Sequence, residues 1–113
     1  MSSIISSSAT QRLVPTASNG TNPVALLAGV AGKKIYLFRL LMTNEGSTGR
    51  VMFLKSDTTA ITRVYVPGLS SGVLDLNGLV WTDLGEALNL VMADAGVTDV
   101  FVSGAALQQK VAS

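Results

Sequence analysis

Short apolar runs recur along this chain about every ten residues, and clusters of turn-forming residues separate them. The runs occupy residues 24–30, 33–43, 50–56, 61–66, 73–76, 79–82, 87–93 and 97–103. Gly, Asn and Asp are frequent between them, as in Asn44-Glu45-Gly46. Regularly spaced short strands are typical of an all-β sandwich or barrel, and about eight is the number in a jelly roll. The sequence therefore predicts an antiparallel, jelly-roll-like β-sandwich of about eight strands.

Alternating side chains support strands within these runs. Leu88, Leu90 and Met92 share one side of a run, and Asn89 lies on the other side. This period of two residues is that of a β-strand with one buried face.

A helix is the alternative in two places. Asp83 and Glu86 have the spacing of a capping box, and residues 22–32, which begin with Asn-Pro, also fit two helical turns. Gly85 would fall in the first turn of the later helix, where it lowers helix propensity. Strands are favoured at both places.

The run 33–43 is the longest, and it is apolar on both sides except at Arg39. Antiparallel sheets usually expose one face to water. This strand is therefore expected to have the core on one side and a neighbouring subunit on the other. Arg39 is expected to be paired or to lie at the interface, with Glu86 as a candidate partner. The stripe predicted to be covered comprises Tyr36, Phe38, Leu40 and Met42.

The low charge content points to the same conclusion. Charged residues make up 13% of the 113 residues, and the net charge is +1, whereas globular domains average about 25% charged residues. A monomer coated with Ser, Thr, Asn and Gly would explain this composition. Burial of much of the surface against copies of the chain would also explain it, and the doubly apolar run favours this second interpretation.

Residues 1–22 differ from the rest and are expected to form an extended N-terminal arm before a β-sandwich domain at 23–113. They contain nine Ser or Thr and a single charge, Arg12. Such a segment has too little apolar area to order itself. It is either a flexible tail or an extended arm that becomes ordered on a partner. The residues that could contact that partner are Ile4, Ile5, Leu13 and Val14.

The composition argues against catalysis. The chain has no His and no Cys, which removes Ser-His-Asp and Cys-His machinery and zinc–thiolate sites. Residues 68–72 read G-x-S-x-G, but a nucleophile elbow needs a His to accept the proton, so this motif is interpreted as a hairpin loop. We predict no catalytic residue, no metal ligand and no cofactor.

Two carboxylate pairs are the remaining candidates for chemistry. Asp83 with Glu86, or Asp94 with Asp99, could serve a glycosidase or hold a calcium ion. All four lie near predicted strand ends, where Asx turns are the more ordinary role of Asp.

Nucleic acid and membrane are not expected partners. The net charge of +1 supplies no field for steering nucleic acid. The longest strongly apolar stretch, 24–31, is far shorter than the roughly 20 residues of a membrane span, and the first residues lack the basic region and apolar core of a secretory signal. Trp81 could stack on a sugar ring, although a place in the core or an interface is favoured.

Three segments resemble a group of small virion proteins of tailed bacteriophages. Residues 30–35 read VAGKKI, residues 51–62 read V-x-F-x-x-S-x-x-T-x-I-T, and residues 85–90 read GEALNL. Their order and spacing carry the resemblance, which covers about residues 24–104. The chain departs from the group's pattern after Gly96.

The resemblance implies a jelly-roll head decoration, or cement, protein that stabilises the capsid by oligomerising and bridging capsid subunits. It implies a homotrimer on the virion surface, made in the host cytoplasm, with the major capsid protein as partner and no catalytic residues. The alternative is a receptor- or carbohydrate-binding module of a phage fibre or tail. The interface candidates are Ile4, Ile5, Leu13, Val14, Tyr36, Phe38, Arg39, Leu40, Met42 and Trp81.

Overall fold

A computed structural model describes residues 10–111, and every regular element in that range is a β-strand. The strands are β1 (Gln11–Ala17), β2 (Val24–Leu27), β3 (Lys33–Asn44), β4 (Arg50–Ser56), β5 (Thr59–Val66), β6 (Ser70–Trp81), β7 (Leu88–Met92) and β8 (Val100–Lys110). No helix in this part of the chain is long and apolar enough to cross a membrane.

The strands form two four-stranded sheets, in the orders β1-β8-β3-β6 and β2-β7-β4-β5, and every pairing is antiparallel. The pairs β1–β8, β2–β7, β3–β6 and β4–β5 are those of one long hairpin that has folded over into two sheets. This is the topology of a jelly roll, so the predicted all-β, jelly-roll-like sandwich is confirmed.

The core lies between the two sheets and is almost wholly aliphatic. Each strand contributes side chains from one face, as the period of two residues requires. On β7 these are Leu88, Leu90 and Met92, each 1% exposed or less, which confirms the strand over the capping-box helix. The other members of the cluster are Leu13, Leu26, Ile35, Leu37, Leu40, Met42, Met52, Leu54, Val66, Val97, Val100, Val102 and Ala106.

Part of the segment predicted as an arm is strand β1 of the first sheet. Residues 1–9, with Ile4 and Ile5, lie outside the described residues, but β1 pairs with β8 and buries Leu13 in the core. Beyond β1, the Ser18 hydroxyl donates to the Val97 carbonyl at 3.0 Å, and the Val100 N–H donates to that hydroxyl at 3.3 Å. These bonds fasten the segment to the loop between β7 and β8.

The turn expected at Asn77-Gly78 is absent, and the two runs that flank it form the single strand β6. Both residues adopt positive φ, 50° and 77°, which Asn and Gly tolerate. The β3–β6 register jumps from Leu37↔Val80 to Arg39↔Asp75, so the extra residues of β6 bulge outward instead of reversing the chain.

A bulge also changes the phase of β3. The register with β8 changes from Leu37↔Ala106 to Arg39↔Ala105, which leaves Phe38 as an extra residue relative to β8. Leu37 and Leu40 both face the core, while Phe38 and Arg39 both face outward. The single stripe expected from Tyr36 to Met42 is therefore divided: Tyr36 and Phe38 lie on the outer face, and Leu40 and Met42 lie in the core.

Candidate interaction surface

The outer face of the sheet β1-β8-β3-β6, here called the β3 face, carries more of the large exposed apolar side chains than the outer face of the other sheet. Directly paired residues in antiparallel strands point to the same side of the sheet. The register therefore arranges the β3 face in rows that cross the strands. From one end to the other, these rows are Leu107–Tyr36–Trp81, Arg12–Ala105–Arg39–Asp75, Ser103–Leu41–Val73 and Ala17–Phe101–Thr43–Ser71.

Large apolar side chains on the β3 face are open to solvent, most of them on β6. Leu41 is 41% exposed, Val73 60%, Leu79 75% and Trp81 47%. Isolated apolar residues are common on protein surfaces, but a contiguous patch usually marks an interaction site. The β3 face therefore has the composition of a surface that another protein covers.

The centre of the β3 face carries an ion pair. The Arg39 Nε donates to Asp75 Oδ1 at 2.7 Å, and both side chains are about half exposed. The expected pairing of Arg39 with Glu86 is wrong, because Glu86 accepts a hydrogen bond from the Ser56 hydroxyl near the other sheet. An exposed pair of this kind contributes little stability, but it leaves the middle of the face without net charge.

Two aromatic rings lie beside that ion pair. The centroids of Tyr36 and Trp81 are 6.3 Å apart with an interplanar angle of 46°, within the usual range for a tilted aromatic contact. Trp81 is not a core residue, since nearly half of it is exposed. It lies on an open strand end, and residues 10–111 form no pocket around it or elsewhere.

The apolar residues on the outer face of the second sheet are mostly less exposed: Val51 and Phe53 are half-buried and Val91 is buried, although Tyr65 is 63% exposed. Lys55 on β4 pairs with Asn89 on β7, and Arg63 on β5 pairs with Phe53 on β4. Two cations without a facing carboxylate in the register therefore share this side of the sandwich with its apolar residues. The contrast identifies the β3 face as the better candidate for burial against protein.

The candidate anchors in the first segment differ in availability. Leu13 is 1% exposed in the core, so it is not free to contact a partner, whereas Val14 is 66% exposed at the β1 bulge. Leu40 and Met42 are buried in the chain's own core and are likewise unavailable. The described candidates that remain accessible are Val14, Tyr36, Phe38, Arg39 and Trp81.

The carboxylate pairs considered for chemistry have structural surroundings. Asp94 Oδ2 lies 3.8 Å from Arg50 Nη1. The Asp99 carboxylate packs against the Cα of Gly46 in the loop between β3 and β4. No group of three or more carboxylates converges within residues 10–111. Asp94 therefore lies beside a cation, whereas the buried Asp99 Oδ1 has no hydrogen-bond partner among the described residues.

The motif at 68–72 is likewise a turn followed by a strand. Leu69 adopts a φ of 50° in the turn, and β6 begins at Ser70, whose hydroxyl donates to the Pro67 carbonyl at 2.6 Å. A strand rather than a helix follows this serine, so the geometry of a nucleophile elbow is not present.

Several residues of the β3 face were not predicted from the sequence. Leu41, Val73 and Leu79 were not among the candidates, because the bulge in β3 and the continuity of β6 both had to be known. A detectable signal existed in the alternation Val73, Asp75, Leu79 and Trp81 on one side of β6, once Asn77-Gly78 is recognised as a bulge.

A scan against protein-family models, a search of curated proteins and a search of solved structures each found no match to this chain.

Proposed function

We propose that this chain is a structural virion protein that decorates and stabilises a bacteriophage capsid by oligomerising and bridging capsid subunits. The observation that carries the proposal is the open, apolar β3 face on a domain with only 13% charged residues. Obligate interfaces are more hydrophobic than other protein surfaces, and four large apolar side chains are exposed on this face beside its Arg39–Asp75 ion pair. In the phage setting that the sequence resemblance implies, the partners are sister copies, arranged as a homotrimer on the virion surface, and the major capsid protein.

The chain would stabilise the capsid by binding to the assembled shell and not to its dissociated subunits. A protein that binds the assembled state shifts the equilibrium away from dissociated subunits by mass action. Several linked copies bind more tightly than one, because each later contact is made at a high effective concentration. Within the first segment, Val14 is exposed and can contribute to that contact, and residues 1–9 are the proposed remainder of the arm.

The test is binding to purified shells that lack the protein. We expect the chain to sediment with the shells and to raise their melting temperature. Val73→Asp places a charge in the β3 face without touching the core, so it should reduce self-association and weaken shell binding roughly 100-fold through lost avidity. Tyr65→Asp, a similarly exposed position on the second sheet, is the matched control and should leave binding unchanged.

The result that contradicts the proposal is equally concrete. Light scattering that shows an 11.7 kDa monomer at every concentration, with no sedimentation on shells, would eliminate an oligomeric decoration role.

A carbohydrate- or receptor-binding module is the second candidate, and the exposure of Trp81 favours it. Trp81 and Tyr36 present adjacent rings on the β3 face, with Asp75 in the next row. Aromatic rings beside polar groups can bind a sugar through one face. If this function is correct, a glycan array should give binding that Trp81→Ala abolishes and Tyr65→Ala preserves, since Tyr65 is an exposed aromatic of the other sheet. Binding that survives Trp81→Ala would exclude this site.

A further inference from the structure

We infer that the β3 face pairs with the same face of a second copy around a two-fold axis that runs along the strands between β8 and β3. The inference deepens the proposed function and rests on it, since both require copies of the chain to associate. It specifies which surface is shared, which partner covers it and which residues meet.

One row of the contact adds an arginine of the second copy to each Asp75, which already accepts a hydrogen bond from Arg39 of its own chain. Arg12, Ala105, Arg39 and Asp75 cross the sheet in a single row, with Arg12 on the edge strand β1 and Asp75 on the opposite edge strand β6. A two-fold axis between the two central strands places β1 of one copy over β6 of the other. Each Asp75 then faces the Arg12 of the other copy, so that one such pair lies at each edge of the contact. Each Arg39 faces Ala105, whose small side chain leaves room for the guanidinium.

The neighbouring rows agree with the same axis. In one row the axis places Tyr36 over Leu107, so that apolar side chains meet. In the row on the other side of the charged row, Val73 of one copy lies over β1 of the other copy. It lies near Val14, in the bulge of β1 opposite Ser103. Both valines are at least 60% exposed in the single chain. Rows on both sides of the charged row therefore bring apolar atoms together, which favours a second copy over an unrelated partner.

The area is sufficient for a stable pair. Four strands about 4.8 Å apart and about 26 Å long present a projected area of roughly 500 Å² per copy. Two such faces remove about 1,000 Å² in total, and the relief of the side chains adds to this value. A specific interface needs about 1,000 Å² or more. Sheets that face each other in this way pack with their strands roughly 30° apart, so the central, charged row stays best aligned.

The contact is separate from the three-fold arrangement that the resemblance implies. Two protomers that pair through the β3 face can belong to neighbouring trimers or can form a free dimer. In solution, a free pair contains two copies, and two trimers joined through this face contain six.

Site-specific cross-linking provides the test, because the chain contains no cysteine of its own. The variant combines Val14→Cys with Val73→Cys, which keeps Arg12, Arg39 and Asp75, and is treated with a short bis-maleimide. Within one chain, β1 and β6 are three strand spacings apart, about 14 Å, and a link inside the chain adds only the mass of the reagent. Between paired copies the two positions face each other, so we expect a product of twice the chain mass.

The matched control places the second thiol on the outer face of the other sheet. Val14→Cys with Tyr65→Cys uses a position as exposed as Val73, and the yield of doubled product should fall at least tenfold. Light scattering of the unmodified protein should show an even number of copies, and Val73→Asp should reduce it.

Opposite outcomes would overturn the inference. A single-chain mass at high concentration contradicts it, and so does equal cross-linking of the Tyr65→Cys control. The two proposals fail separately: cross-linking without shell binding removes the capsid role only, and shell binding without the Val14–Val73 cross-link removes the two-fold contact only.

Discussion

Gly104→Ala should destabilise the fold by about 3 kcal/mol or more, the largest effect expected from any single methyl group in this chain. Gly104 lies in the middle of β8, between β1 and β3, and has a φ of 147°. A Cβ at this position would overlap the Arg39 carbonyl oxygen, which is backbone and cannot turn aside. The bulge in β3 brings that carbonyl close, so the glycine and the bulge depend on each other.

Thermal unfolding is the measurement. For a domain of this size, 3 kcal/mol corresponds to a fall in melting temperature of about 12 °C or more. Gly72→Ala is the matched control, because Gly72 also lies in a strand but a Cβ there would meet only the Met42 Cε at 3.9 Å. The control should change the melting temperature little. Equal losses for both variants would show that the close approach at Gly104 is not the cause.

Leu40→Ala should lower the free energy of unfolding by about 2–5 kcal/mol, whereas Leu41→Ala should cost less than about 1 kcal/mol. The two leucines are consecutive on β3, but Leu40 is fully buried and Leu41 is 41% exposed. The large loss combines the lost transfer free energy with the cavity left between the sheets. The comparison tests whether the bulge turns Leu40 inward, in phase with Leu37.

Urea unfolding followed by the fluorescence of Trp81 gives both values. The variants should be compared at one dilute protein concentration, because self-association raises apparent stability. A greater loss for Leu41→Ala than for Leu40→Ala would place the alternation on the opposite phase and remove Leu41 from the β3 face.

Local pattern was sufficient for the architecture but not for the surface. The run 87–93 shows a two-residue period, and β7 buries the three residues that the period selects. The prediction that Tyr36, Phe38, Leu40 and Met42 share one face of the run 33–43 was wrong. Because the run is apolar on both faces, its sequence does not show where the alternation between inward and outward side chains shifts by one residue. The bulge at Phe38 is seen in the register with β8, a strand that is distant in the sequence.

The segment before residue 22 illustrates a second limit. Its composition is that of an unfolded tail, since Leu13 is one of few large apolar residues there. Strand β1 nevertheless forms, because β8 supplies hydrogen-bond partners from about ninety residues away and the core accepts Leu13. Ser18 contributes hydrogen bonds that no local pattern predicts.

The sequence by itself determined the class of fold, because spaced apolar runs and turn residues act locally and need no partner to be recognised. It also excluded His- and Cys-dependent chemistry through composition alone. The tertiary structure decided which side of each strand faces water and which residues share a row. Those outcomes depend on register, which is set by pairing between distant segments and reverses with a shift of a single residue.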